Sequence, residues 1–290
     1  MNWSDYTGDP MLPPPDVYLG VPFDVYMRWP YLSKSGISDF LISPAQHLAR
    51  MLGQLDKATP IHYLIGSLTD LMWVEQQDPA DHGYHVMPEG MSRRGKRYDL
   101  WLASVGDDAT AVPHDIMAKA QAMVAALNAN AKACSLREGS QPQVSVVWDC
   151  PQSGLRRKGR PDLVDFERKI VSDLKTARDV RPRELSRAVS DYLYHWQLQG
   201  YIEALQTLQY GDDWRAWIVA VRNEPVHSVA CHPIAIAALE LARAEQLPVL
   251  MRYRECALAG TWPADDDSEE ILDVPTWRYR VLGQAAGIDD

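Results

Sequence analysis

Closely spaced cysteines are absent. Cys134, Cys150, Cys231 and Cys256 lie scattered through 290 residues, which leaves no zinc-type pair and no disulfide framework and points to four reduced thiols. Long apolar runs are absent too. The longest, such as "WIVAVR", fall far short of the roughly 20 residues that span a bilayer, and the opening "MNWSDYTGDP" has neither a basic flank nor an apolar signal core. No membrane partner and a cytoplasmic address are therefore expected. Positive charge is in deficit: the formal net charge is -10, unlike proteins that coat nucleic acid by bulk electrostatics. No internal repeat is visible.

What is there is a chain with 46% hydrophobic residues, enough for one large core or two modest ones. The Pro-rich segment 1–17 reads as extended or mobile, because consecutive prolines exclude helix, and residues 18–290 read as a single domain. Two basic clusters stand out: Arg93, Arg94, Lys96 and Arg97, and Arg156, Arg157, Lys158 and Arg160. Either they supply a local path for a polyanion or they are solvated loops.

"SGISDFLISPAQHLARML" predicts two helices broken at Pro44, with Ser43 as N-cap of the second. "PIHYLIGSLTDLMWVEQQ" predicts a buried helix that passes Asp70, and "DIMAKAQAMVAALNANAKACSL" one amphipathic helix capped by Asp115. Strands follow: "QVSVVWDC", a turn at "PQSG", then "LRRKGRPDLVDF" and "KIVSDLKTA" as a continuing meander. One helix is expected from Pro182 to Leu208, then a strand at "WRAWIVAVR" and a last long helix. The fold class is mixed α/β, of the α+β kind, with helices around a small central sheet.

The hairpin in "KGRPDLVDFERKIVSDLKT" raises the functional question. A symmetric loop with Glu167 and Arg168 at its tip sets Asp162 opposite Asp173, where like charges about 4.5–5.5 Å apart destabilise a ladder. Lys175 shares the face of Asp173, while Leu174 points to the other side with Leu163 and Ile170. Glu-Arg is not a favoured two-residue turn, so a longer loop is open; an even, symmetric one keeps this register and a bulged one breaks it. Two carboxylates suit a hard divalent cation, and lysine adds a cation that neutralises a phosphate in transit. The same three residues also read as edge-strand surface groups joined by an ordinary salt bridge.

"GRPD" followed by "SDLKT" resembles the PD-(D/E)XK nuclease motif. With "LSKSGISDFLISPAQHL", "IGSLTDLMW", "VSVVWDCPQSGLRRKGRPDLV", "YLYHWQLQGYIEAL", "ECALAGTWP" and "VPTWRY" in this order, the chain from about Tyr18 to Trp277 resembles exonuclease VIII-type phage and prophage recombination nucleases, relatives of lambda exonuclease and the RecB nuclease domain. The clustered cysteines of a Cas4-like iron-sulfur nuclease are missing.

The resemblance implies a restriction-endonuclease-like core and a 5′-to-3′ exonuclease acting on double-stranded DNA ends in a bacterial host, with an endonuclease, a single-strand nuclease or an impaired recombination scaffold as the alternatives. It implies Asp162, Asp173 and Lys175 as the catalytic set. Asp162, Asp173, Leu174 and Asp70 become candidate ligands for Mg2+, with Mn2+ as a substitute. Gln197 and Tyr201, four apart on one helix face, would support the site or contact DNA; Tyr201 also reads as packing against the sheet. Arg156, Lys158 and Arg160 would contact phosphates, with Thr176 beside them as site support. A homo-oligomer and a single-strand annealing protein are the implied partners. Two positions depart from the pattern: Asp70 stands where histidine is usual, as a ligand or a solvated helix residue, and Gln143 where Glu is frequent. His62 and His195 lack metal-ligand spacing and read as structural.

Overall fold

A computed structural model describes residues 1–55, 61–106 and 109–264. The "VPTWRY" motif and the side chain of His62 lie outside the described residues. In chain order the elements are β1 (Asp16–Tyr18), α1 (Phe23–Arg28), α2 (Lys34–Ile42), α3 (Pro44–Met51), α4 (Ile61–Trp73), β2 (Tyr84–Val86), α5 (Lys96–Val105), β3 (Thr110–Val112), α6 (His114–Ala129) and α7 (Ala131–Arg137). They continue with β4 (Gln141–Pro142), β5 (Ser145–Asp149), β6 (Arg156–Gly159), β7 (Leu163–Asp165), β8 (Ile170–Ala177), α8 (Pro182–Asp191), α9 (Tyr194–Thr207), β9 (Arg215–Arg222), β10 (Val229–Pro233) and α10 (Ile236–Ala259).

The main sheet is mixed, in the order β10-β9-β8-β7-β4, with β8 and β9 parallel and the other pairs antiparallel. Side-chain alternation makes it two-faced. Leu163, Ile170, Leu174, Val219 and Val221 pack with Leu64, Leu68 and the apolar stripe of α6. Val164, Val171, Ile218 and Ala220 point the other way, onto Leu198, Tyr201 and Ile202 of α9. Each fully buried valine or leucine here contributes about 1.5–3 kcal/mol, and both faces are covered because each carries such apolar residues. The helices thus sandwich the sheet.

Several expectations change. The meander is divided: β5 and β6 join β1 in a separate three-stranded sheet, while β7 and β8 belong to the main one. The amphipathic helix after Pro113 is two helices, α6 and α7, because the Asn130 side chain accepts from Ala133 N–H and starts a new one; Asp115 sits in the first turn of α6 without capping it. The helix from Pro182 breaks at Leu193, whose φ of 55° leaves the helical region. Ser43 does cap α3, accepting from Gln46 N–H. Residues 1–19 lie against the small sheet, with the N-terminal ammonium on the Val17 carbonyl and Trp3 within ring contact of Tyr18 and Trp29.

Candidate active site

The pairing Leu163↔Ser172, Val164↔Val171 and Asp165↔Ile170, continued by one step, sets Asp162 opposite Asp173. The register is that of the symmetric hairpin. A four-residue turn at 166–169 closes it, and Asp165 braces that turn by accepting from Arg168 N–H at 2.7 Å. Asp162 lies at the mouth of the strand pair, where its Oδ2 accepts from Leu174 N–H at 2.7 Å. Asp173 is buried, 1% exposed, and such a carboxylate needs partners. Its Oδ1 accepts from Gln197 Nε2 at 3.1 Å, and its Oδ2 forms an ion pair with Lys175.

Lysine, glutamine and tyrosine close a circuit around these acids. Lys175 Nζ donates to Gln197 Oε1 at 3.2 Å and stands 4.6 Å from the centre of the Tyr194 ring. Gln197 Nε2 also donates to the Tyr201 hydroxyl at 2.7 Å, which in turn donates to the Arg160 carbonyl at 3.2 Å. Burial works against the charge on Lys175, but Asp173 and Asp162 outweigh it and hold its pKa up. The lysine is therefore a cation locked in place. Tyr201 can lie flat over β6 only because residue 159 is glycine: a Cβ there would come within 2.8 Å of the ring.

Asp70 enters from the opposite layer. α4 approaches β8 at Gly66, where a Cβ would stand 3.7 Å from Thr176 Oγ1, and Asp70 follows one turn on. It is not a solvated helix residue. Gln143 Nε2 donates to its Oδ2 at 2.7 Å, and Gln143 Oε1 accepts from Arg160 Nε at 2.9 Å. The two positions that depart from the resembled pattern are thus bonded to each other, with the carboxylate on the helix and the amide on the strand side. Burial, then Glu75 and Asp173, push the Asp70 carboxyl up to about 7. Burial and the Asp173 and Asp70 charges likewise push Asp162 well above the carboxylate range.

Asp162 and Asp173 on the hairpin, with Asp70 facing them from α4, offer oxygen donors, the ligand type of a hard divalent cation. Among the described residues no three or more His, Cys, Asp or Glu side chains stand together so as to hold a metal ion. Magnesium usually takes only one or two carboxylates and retains water. Asp162 and Asp173 would hold it, with Asp70 and the main chain of Leu174 at hand; the Leu174 side chain belongs to the opposite core.

The basic candidates require correction. Lys158 is not a phosphate contact: it is buried, and its ammonium donates to the carbonyls of Tyr26, Met27 and Trp29 at 2.9, 3.1 and 2.7 Å, closing the C-terminal end of α1. Arg160 braces the interior through Gln143, the Val21 carbonyl and Ser145. Arg157 is also inside, paired with Glu203 and Gln246. Arg156 is exposed and is held bidentate by Asp149 at 2.8 and 3.0 Å. Thr176 backs onto α4; Gln197 bonds Asp173, Lys175 and Tyr201, and Tyr201 is buried against the sheet. His195 is structural, bonded to the Val189 carbonyl and Glu245. Residues that the sequence reading did not single out are Lys34, Tyr194 and Gly159; "LSKSGISDF" and "YLYHW" contain the first two, but only the fold brings them to Lys175.

A family model described as a PDDEXK-like domain of unknown function (DUF3799) matches residues 33–273. No curated protein matches the chain. The crystal structure of a "putative exonuclease" from Eubacterium rectale superposes with a TM-score of 0.58 at 13% identity, covering 87% of this chain and 92% of that one. At that identity the likeness is one of fold. The structure of SSO0001 shares 15% identity over 70% of this chain and 77% of its own, with a TM-score of 0.29 that carries no argument.

Proposed function

The chain belongs to the family of PDDEXK-like domains, a nuclease fold, and from that premise we propose that it is a magnesium-dependent deoxyribonuclease, a 5′-to-3′ exonuclease that digests double-stranded DNA from its ends. The observation that carries the reading is the convergence of Asp162, Asp173 and Lys175 on one hairpin, opposed by Asp70 and braced by Gln197. Bound between the carboxylates, magnesium would polarise the phosphoryl oxygen and lower the pKa of a bound water. The protein's own groups do the rest. Lys175, held by Asp173 and Gln197, offers a fixed positive charge to the phosphate as water adds to phosphorus and the P–O bond to the leaving oxygen breaks. Gln143 orients Asp70, and Tyr201 locks Gln197.

End dependence, polarity, manganese as a substitute, a homo-oligomer and a single-strand annealing partner in phage-type recombination rest on the resemblance in the sequence motifs. No backbone contact in such an enzyme needs to read bases. Digestion of end-labelled linear duplex beside covalently closed circles, with magnesium, tests the reading. Loss of the linear DNA alone, label first from the 5′ end, is expected. Cutting of circles would replace it with an endonuclease, digestion of single strands alone with a single-strand nuclease, and binding without cutting with an inactive scaffold.

A further inference from the structure

Next to Lys175 the chain does something costly. Between α8 and α9, Leu193 adopts φ 55° and ψ 41°, a left-handed conformation that branched side chains avoid and that tends to persist where function over-determines it. Its effect is to bring two aromatic rings together: Tyr192 and Tyr194 stack with centroids 5.6 Å apart and planes 29° apart. The inner ring faces the Lys175 ammonium at 4.6 Å, and the outer ring is 61% exposed. Lys34, the first residue of α2, fixes the kink by donating to the Tyr192 carbonyl at 2.7 Å. The Lys34 ammonium is close enough to Lys175 and Asp173 for both charges to act on it. Two tyrosines carry this arrangement, one half-shielded by the lysine and one open to solvent. The exposed Tyr192 ring lies one stacked ring beyond the ring that faces Lys175.

We propose that the Tyr192–Tyr194 pair is a stacking platform for an unpaired nucleobase of the strand being cut, with Lys34 holding it in place. The inference rests on the nuclease reading above. A base inside a duplex presents only its edges, so the platform takes a strand whose end has left its complement, and it takes any base, because every base has a π face. Tyr194 contacts the catalytic lysine, whereas the Tyr192 ring is stacked on Tyr194 and largely exposed, so Tyr192 is the position to change.

The test is a double-mutant cycle on binding, read with the full chain and calcium in place of magnesium, on a duplex ending in a short unpaired thymidine tract. Tyr192→Ala is expected to weaken binding about tenfold, the loss usual for one base–aromatic stack. An abasic site at one tract position should cause a similar loss, and combining the two should add almost nothing further. Tyr192→Phe keeps the ring and should bind like wild type. Independent losses at every position, no loss in Tyr192→Ala, or a Phe variant as weak as the Ala variant would overturn the platform while leaving the nuclease reading to its own cleavage test. Failure of wild type to bind DNA would overturn both.

Discussion

Asp173→Ala should lower the rate of phosphodiester cleavage on the order of 10³-fold or more, the scale seen when a group aimed at the charge of a transition state is removed. The expectation follows from its position rather than from its residue type. Asp173 is 1% exposed, accepts from Gln197 and pairs with Lys175, so its loss removes a ligand oxygen and releases the lysine together. The change relieves repulsion with Asp162 and Asp70 but leaves the half-buried Lys175 without its ion-pair partner, so the unfolding midpoint should fall. Initial rates on linear duplex, beside the unfolding midpoint of the same variant, check both halves. A variant within tenfold of wild type would place the chemistry elsewhere.

The hairpin that carries this prediction was legible in the sequence because strand alternation has a period of two, so Leu163, Ile170 and Leu174 share a face in the symmetric register, which the four-residue turn at 166–169 keeps. Ser43 before Pro44 was legible for a similar reason: the cap and the fixed φ of proline act within one turn. Leu193 was not. Nothing in "SDYLYHW" marks a break, since leucine favours helix, and only packing of α9 on the sheet and the Lys34 bond compel it. Asn130 did carry a signal, a good N-cap residue inside an Ala-rich run, but the apolar periodicity on either side masked it. β10 is partly buried along most of its length, so "VACHP" shows no clean alternation. Asp70 and Gln143 read separately as departures; that they face each other is a fact of tertiary structure. The basic run "LRRKGR" misled most. It reads as a strand whose basic side chains meet phosphate or solvent, yet Arg157, Lys158 and Gly159 are all buried in β6.

Lys158→Met should therefore destabilise the fold by about 3 kcal/mol or more, since hydrogen bonds to a charged group are worth about 1.5–3 kcal/mol and unpaired buried acceptors add their own cost. Its ammonium serves three carbonyls at the end of α1 and lies 4.8 Å from the centre of the Tyr26 ring. Methionine fills the stem's volume and satisfies none of them. The salt dependence of DNA binding should not change, whereas loss of a true phosphate contact would reduce that slope by about one. Urea unfolding and a salt titration of binding separate the two roles. Wild-type stability with a reduced slope would restore Lys158 to the DNA-binding surface.

A calorimetric magnesium titration tests most directly the proposal that Asp162 and Asp173, with Asp70 at hand, hold a divalent cation. Burial and neighbouring charge hold the Asp70 carboxyl at about 7 and raise Asp162, so protons compete with metal, and binding must strengthen as pH rises through that range. At about pH 8 wild type should take up magnesium at a site that Asp173→Ala lacks; at about pH 6 the same site should bind more weakly and release protons on binding. Absence of a magnesium site in wild type, or an unchanged site in Asp173→Ala, would contradict the account.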